Sequence, residues 1–220
     1  MMSVLTVASS KGGPGKTTLC QLLAGSLAGQ LKVVVLDADP SQALSRWATS
    51  AYEGPPFEVI AEPDEAQLAH LIAAWAETAD LVIVDTAGFG NRAASVAMTS
   101  ADAVVVPTLS GEADVTEAEK TMRLVQGLAR AARREIPARV LFNRMRRTTL
   151  ARHAAAEVTS AGLAQLTVNL SDLVAYGEMT YSGRVPTTGP AGAEVLALVG
   201  ELRALGWIPA VTALREAVEM

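Results

Sequence analysis

The segment Ser10-Lys11-Gly12-Gly13-Pro14-Gly15-Lys16-Thr17-Thr18 decides the fold of this sequence. It lies between an apolar, strand-like run at 4–8 and a helix-like stretch at 16–29. The three glycines allow the backbone to turn tightly and to aim its N–H groups at an anion, and the helix that follows adds the positive end of its dipole. A strand, a glycine-rich turn and a helix in this order predict a loop that binds phosphate groups.

The pattern G-x-x-G-K-T within this segment assigns roles to its side chains. We expect Lys16 to reach the β- and γ-phosphates of a nucleotide and the Thr17 hydroxyl to bind Mg²⁺. The predicted nucleotide-binding residues of the loop are Gly12, Gly13, Pro14, Gly15, Lys16, Thr17 and Thr18. Measured against the longer pattern G-x-x-x-x-G-K-[ST], the sequence departs at one position, where Ser10 replaces the first glycine.

The rest of the sequence alternates strand-like and helix-like segments. Apolar runs of strand length lie at 4–8, 32–36, 57–61, 81–84, 103–106 and 139–142, with a weaker one at 166–170. Helix-like stretches lie at 16–29, 64–78, 92–100, 112–134, 149–161, 171–181 and 191–205. Strands that are apolar throughout and alternate with helices predict an α/β fold, a mostly parallel sheet of about seven strands with helices on both faces. We expect one domain over 1–220, with the loops after the strands on one edge of the sheet.

The run K-G-G-x-G-K-T-T that begins at Lys11 resembles the deviant Walker A box of the ParA/MinD family of P-loop ATPases. The resemblance covers roughly residues 3–205. It implies an ATPase that binds ATP and Mg²⁺, forms a homodimer in the ATP state and hydrolyses ATP slowly. In that family the early lysine, matched here by Lys11, crosses the dimer interface to the phosphates bound by the partner. Since cations there neutralise the charge that builds up on the phosphates, Lys11 and Lys16 are candidate catalytic residues.

Two acidic segments fit the same resemblance. The segment Leu36-Asp37-Ala38-Asp39-Pro40 is similar to the family's D-x-D-P switch segment, which implies that Asp39 orients or activates the attacking water and that Asp37 supports the Mg²⁺ shell. Two carboxylates beside bound phosphates would repel them without a cation in between, which also indicates Mg²⁺. The apolar run at 81–84 ends in Asp85, as a Walker B strand does. The predicted metal-binding residues are therefore Thr17, Asp37 and Asp85.

The predicted choice of base rests on the segment Leu141-Phe142-Asn143-Arg144. It matches the strand end that contacts adenine in the family, which implies that Asn143 reads the edge of the base. GTPases of the switch type carry N-K-x-D, whose Asp recognises guanine, whereas Arg146 stands at the place of that Asp here. The sequence therefore favours ATP over GTP.

The net charge of −5 is distributed unevenly along the sequence. Ten basic residues lie between Lys120 and Arg152, where Glu135 is the only acidic residue, so this basic segment carries about +9 and the rest of the chain about −14. A face of this kind attracts nucleic acid, although its arginines could also pair with acids or simply be solvated.

ParA-like proteins bind DNA without sequence preference as ATP dimers, and contacts from Arg and Lys to phosphates supply the affinity. The predicted DNA-binding residues are Arg144, Arg146, Arg147 and Arg152. The resemblance further implies DNA partitioning, a ParB-like centromere-binding protein that stimulates hydrolysis, and a cytoplasmic protein that associates with the nucleoid in its ATP state.

Three alternatives remain open. A MinD-like positioning ATPase would bind membranes through a basic tail, whereas the tail at 209–220 carries Arg215, Glu216 and Glu219; we therefore expect it to pack on the domain or an interface, without membrane binding. The segment Leu44-Ser45-Arg46-Trp47 resembles the ParA-like ATPase encoded with a T-DNA transfer system, which makes DNA transfer an alternative to segregation. A P-loop metabolic ligase is the third, although no polar substrate pocket can be identified.

Composition excludes several other classes. The single cysteine, Cys20, cannot form an intrachain disulfide, and it cannot supply the two ligands per subunit that an iron–sulfur reductase dimer uses. No apolar run approaches the ~18 residues that span a bilayer, and no signal peptide is recognisable before the first strand-like run.

Overall fold

A computed structural model describes residues 3–88 and 91–210 of the chain. Within these ranges the backbone forms six strands and eight helices. In chain order they are β1 (Ser3–Val7), α1 (Lys16–Leu27), β2 (Val33–Asp37), α2 (Ala43–Ser50), β3 (Glu58–Ala61), α3 (Glu65–Ala76), β4 (Leu81–Asp85), α4 (Arg92–Ser100), β5 (Ala103–Thr108), α5 (Glu112–Ala132), β6 (Ala138–Phe142), α6 (Thr149–Ser160), α7 (Val174–Ser182) and α8 (Gly189–Ala204). No helix of the described ranges has the length and apolar character needed to cross a bilayer.

All the pairings between neighbouring strands are parallel, in the order β3-β2-β4-β1-β5-β6. The predicted α/β fold with a parallel sheet is confirmed. Strand β1 lies inside the sheet between β4 and β5, so the loop that follows it emerges at the middle of one edge. The loops that follow β2 and β4 emerge beside it, because the carboxyl ends of parallel strands meet at the same edge.

The predicted count of about seven strands is too high for the described residues, because the weak run at 166–170 does not form a strand. It approaches β6, and the N–H of Leu166 donates to the Val140 carbonyl at 2.8 Å. The next two N–H groups, of Thr167 and Val168, instead donate to the Glu201 carboxylate at 2.7 and 2.8 Å. The Val168 N–H, which would continue the pairing with β6, is therefore bound by a side chain of α8 instead.

Helices cover both faces of the sheet, which explains why its strands are apolar throughout. One core cluster packs α1, α2, α7 and α8 against one face, through strand residues such as Leu5, Val35 and Ile83. The opposite face, with Val4, Val34 and neighbouring residues, packs against α3, α4, α5 and α6. Successive strand residues thus point to alternate layers of a three-layer sandwich.

Helix α2 was not predicted from the sequence. It has eight residues and follows Gln42, which adopts a left-handed conformation with φ 49° and gives the helix no side-chain cap. Its formation depends on tertiary packing, since Leu44 and Trp47 are buried against the core. The predicted tail helix at 209–220 lies almost wholly outside the described residues, which end at Ala210.

Candidate functional site

The glycine-rich segment forms a tight turn between β1 and α1. Gly13 and Gly15 have φ angles of 94° and 93°, in the left-handed region that favours glycine. Gly15 also precedes the first residue of α1, and no side chain of the described chain caps the helix at that point. The first N–H groups of α1 therefore remain available at the turn, where the helix dipole favours an anion. The predicted phosphate-binding residues thus form one continuous turn.

Asn143, at the end of β6, packs directly on this turn. Its Nδ2 donates to the Pro14 carbonyl at 2.8 Å, and its Oδ1 accepts from the N–H of Arg144 at 2.9 Å. A Cβ atom added to Gly15 would lie 2.2 Å from Asn143 Nδ2, so only glycine fits beneath this side chain. The predicted contact of Asn143 with a base stays a prediction, because the structure shows its amide bonded to the backbone on both sides.

Lys16 is the buried cation of the site. Its side chain reaches back across the turn, and its Nζ donates to the carbonyl of Lys11 at 3.1 Å. Burial lowers the pKa of Lys16 from its usual value, although the carboxylates of Asp85 and Asp39 oppose that change. The ammonium group therefore lies where an anion bound in the turn would meet it.

Asp85 is the buried carboxylate beneath the turn. It ends β4, stands in register with Val7 of β1 and Asp37 of β2, and is fully buried. Neither of its oxygens has a hydrogen-bond partner among the described residues. Burial raises its pKa to about 7; the Thr17 hydroxyl opposes part of this rise, and the neighbouring Asp37 adds to it.

An unpartnered buried carboxylate beside the Thr17 hydroxyl fits a divalent cation. Residues 3–88 and 91–210 contain no group of three or more His, Cys, Asp or Glu side chains placed to hold a metal ion by themselves. A cation here would need further oxygen ligands from water or from phosphates. That requirement matches Mg²⁺, which usually binds through one or two protein oxygens together with waters and substrate phosphates.

The two aspartates after β2 differ in their surroundings. Asp37 is fully buried, and its Oδ2 accepts from both the N–H and the hydroxyl of Ser45, at 2.9 and 2.8 Å. Asp39 is half-buried and accepts from the N–H of Ser41 at 2.8 Å. Asp37 therefore anchors the start of α2, and its predicted role near a metal ion, like that of Asp39 near a water, stays a prediction. Sequence reasoning missed Ser45 because it lies in the unpredicted helix.

Lys11 lies on the exposed side of the turn. Its Nζ is 2.7 Å from Oδ1 of Asp114, which belongs to the first turn of α5. The Lys11 side chain is 44% exposed and that of Asp114 is 14% exposed, so the cation remains accessible from solvent while its partner is mostly covered. The predicted contact of Lys11 with a second subunit stays a prediction.

Ser10, which stands where the longer phosphate-loop pattern has glycine, attaches the turn to α5. Its N–H donates to the Thr121 hydroxyl at 3.0 Å, and its own hydroxyl donates to the Glu117 carboxylate at 2.7 Å. The departure from the pattern therefore has a structural explanation, since a glycine would lose the hydroxyl bond.

A groove of about 540 Å³ extends from the turn along α7. Its lining residues near the turn are Thr18, Asn143 and Arg144, and the rest come from 171–181, with Asp172, Tyr176 and Tyr181 among them. Sequence reasoning did not find this wall, because 171–181 carries no motif. The Tyr176 hydroxyl donates to Glu194 at 2.7 Å, which fixes α7 to α8.

The four predicted DNA-binding arginines are exposed but do not share one environment. Arg144 lines the groove, with a left-handed φ of 50°, and Arg146 forms an ion pair with Asp172 at 2.6 Å. Arg147 and Arg152 border a surface depression of about 490 Å³ at the start of α6. Neither of these two forms an ion pair with any described residue.

The basic segment is partly neutralised in three dimensions, in keeping with the alternative that its basic residues pair with acids elsewhere in the chain. Four of its ten basic residues form ion pairs with acids outside the segment. These pairs are Lys120–Glu117, Arg123–Glu119, Arg134–Asp102 and Arg146–Asp172. The pairs Arg134–Asp102 and Arg146–Asp172 could not be predicted from the sequence, because the acid and the arginine of each pair lie far apart along the chain.

Comparisons with known proteins found similar sequences and a similar fold. The VirC1 protein family model matches residues 2–188. A ParA protein of Rhizobium radiobacter is 32% identical over 142 residues, which are 64% of this chain and 64% of that protein. A virC1 protein of the same organism is 33% identical over 150 residues, which are 66% of this chain and 65% of that protein. The matches thus span just under two thirds of the length of these relatives.

A solved complex of Cyanothece McdA with ATP has the same fold. It superposes on this chain with a TM-score of 0.79 at 19% sequence identity, and the superposition covers 96% of this chain and 99% of that one.

Proposed function

Since the chain belongs to the VirC1 family, we propose that it is a ParA/MinD-type ATPase whose ATP-bound form closes into a homodimer and holds DNA without sequence preference. The observation that supports this most directly is the Asp85 carboxylate, which is fully buried beneath a glycine-rich turn without a hydrogen-bond partner among the described residues and has the Lys16 ammonium as its nearby cation. A buried charge of this kind is unfavourable unless a cation compensates it.

Different residues around the turn bind different parts of a Mg²⁺-triphosphate. The N–H groups of the turn and of the first turn of α1 hold the phosphate oxygens, and Lys16 adds a buried positive charge. Thr17 and Asp85 would hold Mg²⁺, with Asp37 in register beside Asp85 on the neighbouring strand. When bound, Mg²⁺ neutralises the charge that develops on the transferred phosphoryl group. Asp39, half-buried at the same edge of the sheet, orients the attacking water.

Lys11 links nucleotide state to dimerisation in this proposal. Its ammonium group is accessible from solvent and is held by one surface ion pair, which is worth at most about 1 kcal/mol. A triphosphate in a second copy offers more negative charge than the single carboxylate of Asp114. Lys11 therefore exchanges partners when two ATP-bound copies meet, and the dimer depends on the terminal phosphate.

DNA binding follows from the dimer. Arg147 and Arg152 are exposed and form no ion pair with any described residue, so their charges are available to contact phosphates. Two copies double the number of such contacts, which lets the nucleotide state control DNA retention through avidity. We propose that a ParB-like centromere-binding protein stimulates the slow hydrolysis, and that the ATP form associates with the nucleoid.

A second candidate cargo is DNA that is being transferred between cells. The VirC1 family model matches residues 2–188, and a virC1 protein is among the relatives. The nucleotide-dependent dimerisation would be the same. The protein that stimulates ATP hydrolysis would then be one that binds the transferred DNA strand, such as a relaxase. Adding a centromere-binding protein or a relaxase to the ATPase assay distinguishes these two cargoes.

The test compares molecular mass in solution and retention of DNA at low salt, without nucleotide, with ADP and with ATP. We expect the wild type to dimerise and retain DNA with ATP only. We expect Lys16→Ala to lose nucleotide binding, and Lys11→Ala to bind nucleotide but remain monomeric. Lys32→Ala, an exposed lysine that packs over Trp75 instead, is the matched control and should behave as wild type.

Two outcomes would contradict the proposal. Equal ATP-dependent dimerisation of Lys11→Ala and wild type would remove the role of Lys11 across the dimer. Absence of DNA retention by the wild type with ATP at low salt would remove the DNA-binding function while leaving the ATPase intact.

A further inference from the structure

A groove of about 600 Å³ lies at the end of α5, beside the segment that leads into β6. We call it the α5 groove, and its lining residues lie within 126–137. Helix α5 starts after the carboxyl end of β5 and has 21 residues, so its last turn lies about 30 Å from that edge of the sheet. The α5 groove is therefore at the edge opposite to the phosphate-binding turn. We propose that it holds residues 211–220 of the same chain, which we call the tail, independently of nucleotide binding.

The α5 groove carries positive charge that the described residues do not neutralise. Arg130 and Arg133 are exposed and form no ion pair with any described residue. Arg134 instead donates to the Ala101 carbonyl at 2.7 Å, and Glu135 is the one acid among the lining residues. The dipole of a helix favours basic residues in its last turn, but it does not require three arginines within five residues. Two guanidinium groups of the groove are therefore available to an acidic segment.

The backbone at Arg133 favours glycine instead of arginine. Arg133 ends α5 with φ 53° and ψ 38°, in the left-handed region where a glycine commonly follows a helix. Since glycine adopts this conformation without steric cost, the backbone gives no reason for an arginine here. We attribute it to a contact that the side chain makes outside the described residues.

Apolar side chains line another part of the α5 groove. Ala129, Ile136 and Pro137 are among its lining residues, and Ile136 is buried. DNA phosphates gain nothing from an apolar surface, whereas a peptide can bury an apolar side chain against it. Arginines beside apolar residues therefore fit a peptide that has both carboxylates and apolar side chains.

The tail has this composition. Its two acids, Glu216 and Glu219, are three positions apart, which is also the separation of the two available arginines of the groove. One arginine and two glutamates leave the tail with a net charge of −1. Its larger apolar side chains are Val211, Leu214, Val218 and Met220.

The described chain ends at the same edge of the sheet as the α5 groove. The Arg203 guanidinium, in the last turn of α8, donates to the Gln30 side chain at 2.9 Å and to the Pro209 carbonyl at 3.4 Å. Gln30 follows α1, which starts at the phosphate-binding turn and ends where the chain enters β2. Because the amino ends of parallel strands share one edge, Pro209 lies at the edge where β6 also begins.

Helix α8 also lies at the side of the sheet that carries β6. Its Glu201 accepts from the N–H of Val168, two residues after the N–H that pairs with Val140 of β6. From Ala210, an extended chain reaches about 20 Å at Glu216 and about 30 Å at Glu219. This length is enough to pass around the edge of a sandwich whose layers are about 10 Å apart. The tail can therefore reach the opposite face, where α5 lies.

Attachment to the same chain favours even a weak contact. A short linker gives the attached segment an effective concentration of about 1 mM near its site. If the free peptide bound the groove with a dissociation constant of about 100 µM, the attached tail would occupy it about 90% of the time. Exposed ion pairs together with one buried apolar side chain are therefore sufficient.

Disulfide cross-linking in the full chain tests whether the tail reaches the α5 groove. Gln126→Cys, which lines the groove, is combined with Val218→Cys in the tail, and the native Cys20 stays in place because it is fully buried. We expect a disulfide within one chain, with and without ATP, since a disulfide requires Cα atoms within about 7 Å. Leu150→Cys with Val218→Cys is the matched control, because Leu150 is exposed on α6 at the opposite edge and should cross-link much more slowly.

Charge reversal tests what holds the tail in place. We expect Arg130→Glu with Arg133→Glu to slow the initial rate of cross-linking about four- to 25-fold, because each exposed ion pair contributes up to about fivefold. Reversal of Glu216 and Glu219 to arginine should have the same effect, and the four substitutions together should restore the rate to within about twofold. Arg123→Glu, on α5 but outside the groove, should leave it unchanged.

Amide hydrogen exchange gives a second readout without new cysteines. In the absence of DNA, residues 126–137 should exchange faster when Glu216 and Glu219 are reversed to arginine than in wild type, while exchange in α6 stays the same. Protection of 126–137 that appears only when DNA is added would assign the groove to nucleic acid and overturn the proposal.

The cross-linking experiment has three outcomes that would also overturn the proposal. Equal rates for the groove pair and the Leu150 control would mean that the tail has no preferred place. A disulfide found only between two chains would assign the groove to a second copy. Rates that charge reversal leaves unchanged would remove the arginines from the interaction.

Discussion

The ammonium group of Lys11 lies 2.7 Å from the carboxylate of Asp114 in the same chain. Lys11 is also the residue that, in our proposal, reaches the phosphates of a second copy. An intrachain partner therefore competes with the dimer for the same cation, and the strength of that partner sets how readily two copies close.

Replacing Asp114 tests this competition. We expect Asp114→Asn to strengthen ATP-dependent dimerisation about two- to fivefold, because an ion pair that involves an exposed side chain is worth about 0.2–1 kcal/mol. Analytical ultracentrifugation with ATP measures the dimer dissociation constant. Glu112→Gln is the control, since it removes another acid from the first turn of α5 without touching Lys11. Equal strengthening in both variants would assign the effect to the charge of the helix end.

Asp85 predicts an unusual pH dependence of stability. Burial raises its pKa to about 7, so between about pH 4 and pH 7 the folded chain retains a proton that the unfolded chain has released. The free energy of unfolding should therefore fall as pH rises through this window, relative to Asp85→Asn, which cannot ionise. We expect a relative loss of about 2 kcal/mol between pH 5.5 and pH 8 in the nucleotide-free protein.

Urea unfolding of both proteins at several pH values, with EDTA present, measures this difference. Mg²⁺ with ATP should reverse it, because the bound cation favours the ionised carboxylate. Glu178→Gln, an acid on the exposed side of α7, should follow wild type. If the free energies of unfolding of wild type and Asp85→Asn change with pH in parallel, the pKa of Asp85 is not raised in the folded protein and the prediction is wrong.

The surroundings of the arginines predict which of them contribute to DNA affinity. We expect Arg147→Ala and Arg152→Ala each to reduce the slope of log Kd against log salt concentration by about 1, the effect of one lost phosphate contact. Arg123→Ala should leave the slope unchanged, since Arg123 is paired with Glu119 at 3.0 Å. Fluorescence anisotropy with a random duplex, with ATP at several salt concentrations, gives these slopes. A reduced slope for Arg123→Ala alone would place the DNA on α5 instead.

Trp47 provides a test of the packing of α2. Its indole N–H donates to the Met179 carbonyl on α7 at 3.0 Å, and its ring packs 4.9 Å from that of Tyr52. Trp47→Phe keeps an aromatic ring but removes one of the two donors to the Met179 carbonyl, which still accepts from the Gly183 N–H at 3.0 Å. We therefore expect a loss of about 0.5–1.5 kcal/mol in the free energy of unfolding. Trp75→Phe, at a half-buried position, should cost less. Similar losses in urea unfolding would mean that the hydrogen bond contributes little.

The sequence predicted those parts of the molecule that local patterns determine. The turn after β1 and the aspartates at the ends of β2 and β4 follow from short motifs at strand ends, and parallel strands bring such ends together. The structure adds that Asp37 and Asp85 are in register on neighbouring strands, a pairing that the motifs themselves do not specify.

The parts that the sequence could not predict depend on contacts between distant residues. Helix α2 forms because the core buries Leu44 and Trp47, although its sequence has no capping signal. The pairing of Lys11 with Asp114 joins residues 103 positions apart. Likewise, Glu201 of α8 binds the Val168 N–H that would have continued the pairing of a seventh strand with β6. Periodicity and spacing carry no information about such partners.

The ion pair between Arg146 and Asp172 has a thermodynamic consequence. Asp172 borders the groove beside the turn, and Arg146 borders the depression at the start of α6. A ligand that withdraws Asp172 releases Arg146 to the basic surface, and a polyanion that withdraws Arg146 releases Asp172 to the groove. Because coupling between two binding equilibria is reciprocal, occupancy of either surface must alter affinity at the other by the same factor, even within a single subunit.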